Sequence, residues 1–115
     1  MFARSVSFQL KPGRAAEFAQ LLDKDVIPTL RKQKGFQDEI ALVSPGGTNA
    51  LGISVWALKE DAETYARGAY PGVVESLAHV IEGTPQVQTY DVANSTFHKL
   101  VDRASASSDR AGVSA

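Results

Sequence analysis

The order in which hydrophobic period switches between two and three-to-four residues constrains this chain more than any single motif. Residues 2–10 alternate, with Phe2, Val6, Phe8 and Leu10 on one side and Ala3, Ser5, Ser7 and Gln9 on the other. Arg4 is the exception within the apolar set. A period of two predicts a half-buried strand. After the break at Lys11-Pro12-Gly13, Ala15, Phe18, Ala19, Leu22, Val26 and Leu30 recur at spacings of three and four, which predicts a helix with one apolar stripe. Pro28 lies inside that stripe, removes a helical hydrogen bond and predicts a kink or a fresh turn after Ile27. Arg31, Lys32 and Lys34 suit the negative end of the helix dipole, and Gly35 is a natural stop.

A second strand is predicted over about 36–44, then a hairpin loop at Pro45-Gly46-Gly47-Thr48-Asn49. The returning strand carries the single tryptophan: Leu51, Ile53, Val55 and Ala57 point one way, Gly52, Ser54 and Trp56 the other. It runs into a second helix, predicted from Asp61 to about Glu82 and interrupted at Tyr70-Pro71-Gly72, with Gly83-Thr84-Pro85 ending it. The last strand, about 86–98, is long and polar, as an edge or an exchanged segment would be. The chain divides into an ordered domain at 1–100 and a tail at 101–115, whose lack of bulk and period predicts disorder. The order β-α-β-β-α-β is the split βαβ, or ferredoxin-like, arrangement: an α+β fold with two helices on one face of a four-stranded antiparallel sheet.

Composition bounds the function. With 115 residues the chain is one domain, and its 43% hydrophobic and 22% charged residues are ordinary for a globular protein. A net charge of −1 without a basic cluster argues against nucleic-acid or membrane partners. The absence of cysteine removes thiolate chemistry and disulfides. No apolar run approaches membrane length, and the first residues have no apolar leader, so the expected location is cytoplasmic. His79 and His98 lack the spacing and the third partner of a metal site, so no metal is expected.

The helix-facing set is expected to include Val6, Phe8, Ile40, Leu42, Ile53 and Val55. The opposite face then holds Ser5, Ser7, Ser54 and Trp56, with some of Val43, Tyr90 and Val92. A lone sheet would expose Trp56 there, so two sheets packed face to face, a homodimer enclosing a cavity, are expected.

Three stretches carry a resemblance: Lys11-Pro12-Gly13-Arg14-Ala15-Ala16-Glu17-Phe18 opening the first helix, Val26-Ile27-Pro28-Thr29-Leu30-Arg31 with Gly35-Phe36 at its exit, and Val55 to Tyr65 from the tryptophan strand into the second helix. Together with the element order they resemble the antibiotic-biosynthesis-monooxygenase-like (ABM) domain of the dimeric α+β-barrel superfamily, over residues 2–98. The resemblance implies a dimeric barrel and cofactor-independent oxidation of a small aromatic or quinol-like molecule. It supplies Trp56, matched to the family's strand-three tryptophan, as ring platform. Tyr65 and Tyr90 stand as catalytic proton partners and Ser5, Ser7 and Ser54 as substrate hydrogen-bonders, with no cofactor. Haem-degrading relatives need an asparagine on strand one and a histidine early in helix two; here Ser5 and Ser7 stand at the first position and Tyr65 near the second, which argues against haem. The alternative is a non-catalytic ligand-binding or structural dimer, in which Trp56 and Tyr65 simply pack the core.

Overall fold

The computed structural model describes residues 1–96; Phe97 and His98 of the expected final strand and the tail at 101–115 lie outside the described residues, and residues 92–96, expected in that strand, are not part of it because the strand ends at Asp91. Strand β1 (Phe2–Leu10) leads into a helical layer made of α1 (Ala15–Leu21), a π-helical turn (Leu22–Val26) and α2 (Ile27–Arg31). Strands β2 (Phe36–Val43) and β3 (Asn49–Trp56) form a hairpin. Helices α3 (Lys59–Arg67) and α4 (Tyr70–Leu77) follow, and β4 (Ile81–Asp91) closes the sheet. The strand order is β2-β3-β1-β4 and every pair is antiparallel, which is the ferredoxin-like α+β fold read from the sequence. No described helix is long and apolar enough to cross a membrane.

Local chemistry explains the departures from regularity. Pro28 has no N–H to give to the carbonyl four residues back. The turn before it widens instead, and the Ile27 N–H bonds the Leu22 carbonyl five residues back. The helix therefore continues through the proline rather than stopping. Between α3 and α4 the break falls at Gly68, just before Tyr70 and Pro71, where proline is tolerated in a first helical turn. The fourth helix ends at Leu77, not near Glu82, and β4 begins at Ile81. Val80 and Ile81 fit either an apolar helical stripe or a strand. Pairing of Ile81 with Leu10, and the Lys11 N–H bonded to the Val80 carbonyl at 2.9 Å, decide for the strand. Gly83-Thr84-Pro85 is consequently a bulge within β4, with Gly83 at φ +68°, on an edge where proline's missing donor costs no ladder bond.

The register settles which face is which, and it corrects the sequence expectation. On the helix side, Phe2, Arg4, Val6 and Phe8 of β1 lie directly beside Trp56, Ser54, Gly52 and Ala50 of β3. Ser5 and Ser7 are opposite Ile53 and Leu51, on the other face. Ser54 and Trp56 thus belong to the core face, whereas Ser5 and Ser7 do not, and Ile53 and Val55 point away from the helices. Strand β2 is out of phase for a separate reason: a register shift between Phe36 and Asp38 turns Phe36, Glu39 and Ala41 inward. Ile40 and Leu42, expected inside, stand on the outer face, 50% and 47% exposed.

Candidate functional site

Three rows of side chains cross the inner face of the sheet. Phe36, Trp56 and Phe2 form one row; Glu39, Ser54 and Arg4 form the next; Ala41, Gly52 and Val6 form the third. The first row is closed. Trp56 is fully buried, meets Phe36 edge-on at 5.6 Å, and stacks on Tyr65 of α3 at 5.1 Å and 29°. Its indole N–H donates to the Ser54 hydroxyl at 2.9 Å, and that hydroxyl donates to the Arg4 carbonyl at 3.4 Å.

The second and third rows open into a cavity under the helices. Its volume is about 40 Å³. Phe18, Leu22, Val26, Leu30, Val73 and Leu77 supply an apolar roof, while Tyr65 and Tyr70 face Arg4, Ser54 and Glu39. Gly52 in the third row carries no side chain, and the Glu39 carboxylate lies 3.6 Å from where a Cβ would stand. That vacancy lets a charged side chain share the floor of an otherwise packed layer.

Arg4 is 5% exposed, and among the described residues no carboxylate stands within ion-pair distance of it. Its guanidinium sits 4.0 Å from the Tyr70 ring centroid and 5.5 Å from that of Tyr65. The aromatic chain Phe36–Trp56–Tyr65–Tyr70 therefore ends on a cation.

Burial governs the titration of the site. It pushes the Tyr65 phenol up to about 12, with Arg4 opposing. It raises Tyr70 as well, against the Arg4 charge, which also reaches the Tyr70 hydroxyl. Both phenols are thus neutral hydrogen-bond donors near neutral pH rather than bases. Burial, reinforced by the neighbouring Asp38 charge, raises the Glu39 carboxyl. A carboxyl raised toward neutrality in a lined cavity is the group here suited to exchange protons.

The sequence-derived candidates separate under this geometry. Tyr65 and Ser54 line the cavity; Trp56 backs Tyr65 without reaching it, so the ring surface offered to a ligand is that of Tyr65. Tyr90 is 50% exposed on the outer face of the edge strand, hydrogen-bonded to Gln88. Ser5 and Ser7 are on that outer face too, and Ser7 is exposed. His79 sits on the surface, 2.7 Å from Glu17. Arg4, Glu39 and Tyr70 were missed. Arg4 left a signal, a charge in phase with Phe2, Val6 and Phe8; Glu39 left none, because the bulge that turns it inward is not written in the alternation.

No protein-family model matches the chain, and neither does any curated protein. Solved structures do. The chain matches the ActVA-Orf6 monooxygenase of Streptomyces coelicolor, solved with nanaomycin D, at TM-score 0.70 and 18% identity over 82% of this chain and 88% of that one. It matches SnoaB, a cofactor-independent oxygenase from Streptomyces nogalater, at TM-score 0.68 and 15% identity over 83% and 95%. A Nitrosomonas europaea protein of unknown function matches at TM-score 0.69 and 17% identity over 83% and 91%. The fold of the chain is that of the antibiotic-biosynthesis-monooxygenase proteins.

Proposed function

We propose that the chain binds a small aromatic, quinol-like molecule in the cavity beneath the helices and oxidises it with dioxygen, without a bound cofactor. The observation that carries this reading is the meeting of a buried cation, a carboxyl of raised pKa and two neutral phenols in one aromatic-lined cavity. The fold shared with two oxygenases supports it. The cavity volume of about 40 Å³ is far below the roughly 300–1,000 Å³ of ordinary ligand pockets, which favours a single ring over a fused polycycle and requires the roof to give way to admit it.

The chemistry is as follows. Glu39 removes a proton from the bound phenol, in its keto tautomer a CH₂ beside a carbonyl, and the resulting charge delocalises onto the ring carbon. That carbon bonds dioxygen, the peroxide takes back a proton, and loss of water leaves a carbonyl. One CH₂ and one O₂ give one C=O and one H₂O. Tyr65 and Tyr70 donate hydrogen bonds to the developing oxygen charge. The test is oxygen uptake by the purified protein with single-ring quinols, set against buffer alone. Uptake above autoxidation that falls at least about tenfold in Glu39→Gln, at unchanged folding, is expected. Uptake equal to buffer overturns the reading.

We further propose a homodimer formed through the outer face, where Ile40, Leu42 and Tyr90 are each about half exposed and Leu51 and Ile53 are partly so. Non-catalytic binding is the second reading, favoured by Ser54, whose hydroxyl is already committed to Trp56 and Arg4. A ligand retained without oxygen uptake would establish it.

A further inference from the structure

The buried arginine asks for an anion. Removing a guanidinium from water is costly even after relaxation, and a desolvated cation–π contact returns only part of that cost. Arg4 has two phenol faces and the Tyr70 hydroxyl beside it, but among the described residues no carboxylate neutralises it. Glu39 shares the floor but is two strands away, roughly 10 Å at the backbone for strands about 4.8 Å apart. The arginine faces the cavity rather than the solvent.

We propose that Arg4 is an oxyanion receptor, and that the ligand of this cavity is an aromatic bound as its phenolate, the oxygen at Arg4 and the ring against Tyr65. The inference rests on reading the cavity as an aromatic-binding site and goes further, to the ionisation state of what it holds. The titratable groups that face the cavity are Arg4 from β1, Glu39 from β2, Tyr65 from α3 and Tyr70 from α4. The helical layer before β2 contributes only apolar side chains. The two tyrosines stay neutral, so Arg4 alone supplies positive charge, and Glu39 alone opposes it. A receptor of this kind favours phenolate over phenol and lowers the pKa of the bound molecule. In a monocyclic quinol it makes the first deprotonation easier before any oxygen is consumed.

The probe is 4-nitrophenol, which absorbs visible light only as phenolate, with nitrobenzene as the neutral isostere. Titrated from acid to base in the presence of excess full-length protein, the bound probe is expected to ionise at least about one pKa unit below the free probe, a tenfold preference for phenolate. Nitrobenzene should bind more weakly than the phenolate by a comparable factor. Arg4→Lys keeps a cation and should keep part of the shift; Arg4→Met, with folding verified by circular dichroism, should abolish it. The wild-type titration needs neither variant, so it decides the matter even where Arg4→Met fails to fold. A probe that binds with an unmoved pKa, that prefers the neutral isostere, or that does not bind overturns the proposal. Ionisation without quinol oxidation would leave the anion receptor standing and remove the oxygenase reading; oxidation without an ionisation shift would do the reverse.

Discussion

The two faces of the sheet are built from the same four strands and do opposite things with polarity. The inner face buries an arginine and a serine and gives each a defined neighbour: Ser54 accepts the Trp56 indole N–H, and Arg4 lies against Tyr70. The outer face leaves Ile40 and Leu42 half exposed beside Ser5 and Ser7. The inner face is otherwise apolar, so the buried arginine and serine are exceptions within an ordinary core. Buried polar groups with hydrogen-bond partners cost little. Exposed apolar side chains gathered on one side mark where another surface fits.

The largest effect that can break this contrast is expected at Trp56. Trp56→Ala empties the centre of the aromatic chain and takes away the donor to Ser54, and should cost about 3–5 kcal/mol in urea denaturation. A loss under 1 kcal/mol would mean that the ring does not hold the inner face together. Ser54→Ala changes little volume but strands a buried indole N–H, and a loss of about 1–3 kcal/mol is expected. Complete tolerance would show that the indole finds another acceptor.

The third test is one of sign. Burial raises the folded-state pKa of Glu39, so its contribution to stability is full below its ordinary value of 4.5 and is lost as pH rises through the raised folded value. Glu39→Gln does not titrate. The variant should therefore gain on the parent as pH increases from 4 to 8, and parallel curves in denaturation midpoint would contradict the burial of the carboxyl. The smallest effect on folding is expected outside. Ile40→Lys should leave the stability of a single chain within about 0.5 kcal/mol. It should also reduce the sedimenting mass from two chains to one. An unchanged dimer would move the interface elsewhere.

Much of the architecture was legible because it depends on neighbours in sequence. Alternation marked the strands, three-and-four spacing marked the helical layers, and Lys11-Pro12-Gly13 and Pro45 to Asn49 marked the turns. The site was legible only in part. Tyr65 and Ser54 were named from the strand-to-helix stretch and line a cavity under the helices; Ser5 and Ser7 stand on the outer face where they were placed, and it is Ser54 and Trp56 that were assigned to the wrong side of the sheet. Alternation separates a strand into two sets but carries no sign; it cannot say which set meets the helices when both contain large apolar residues. In β3 the β-branched set, Ile53 and Val55, looked like the core, and the tryptophan looked exposed.

By itself, then, the sequence determined the element order, the hairpin and the ferredoxin-like topology, since these follow from period, turn chemistry and chain connectivity. Only the tertiary structure decided the rest: the register that sets Arg4, Ser54 and Glu39 in one row, the bulge that turns Glu39 inward, and the helices that close Tyr65 and Tyr70 over them. The physical reason is that a row across three strands joins residues far apart in sequence through backbone hydrogen bonds, and a one-residue shift in either pairing would send each of them to the other face.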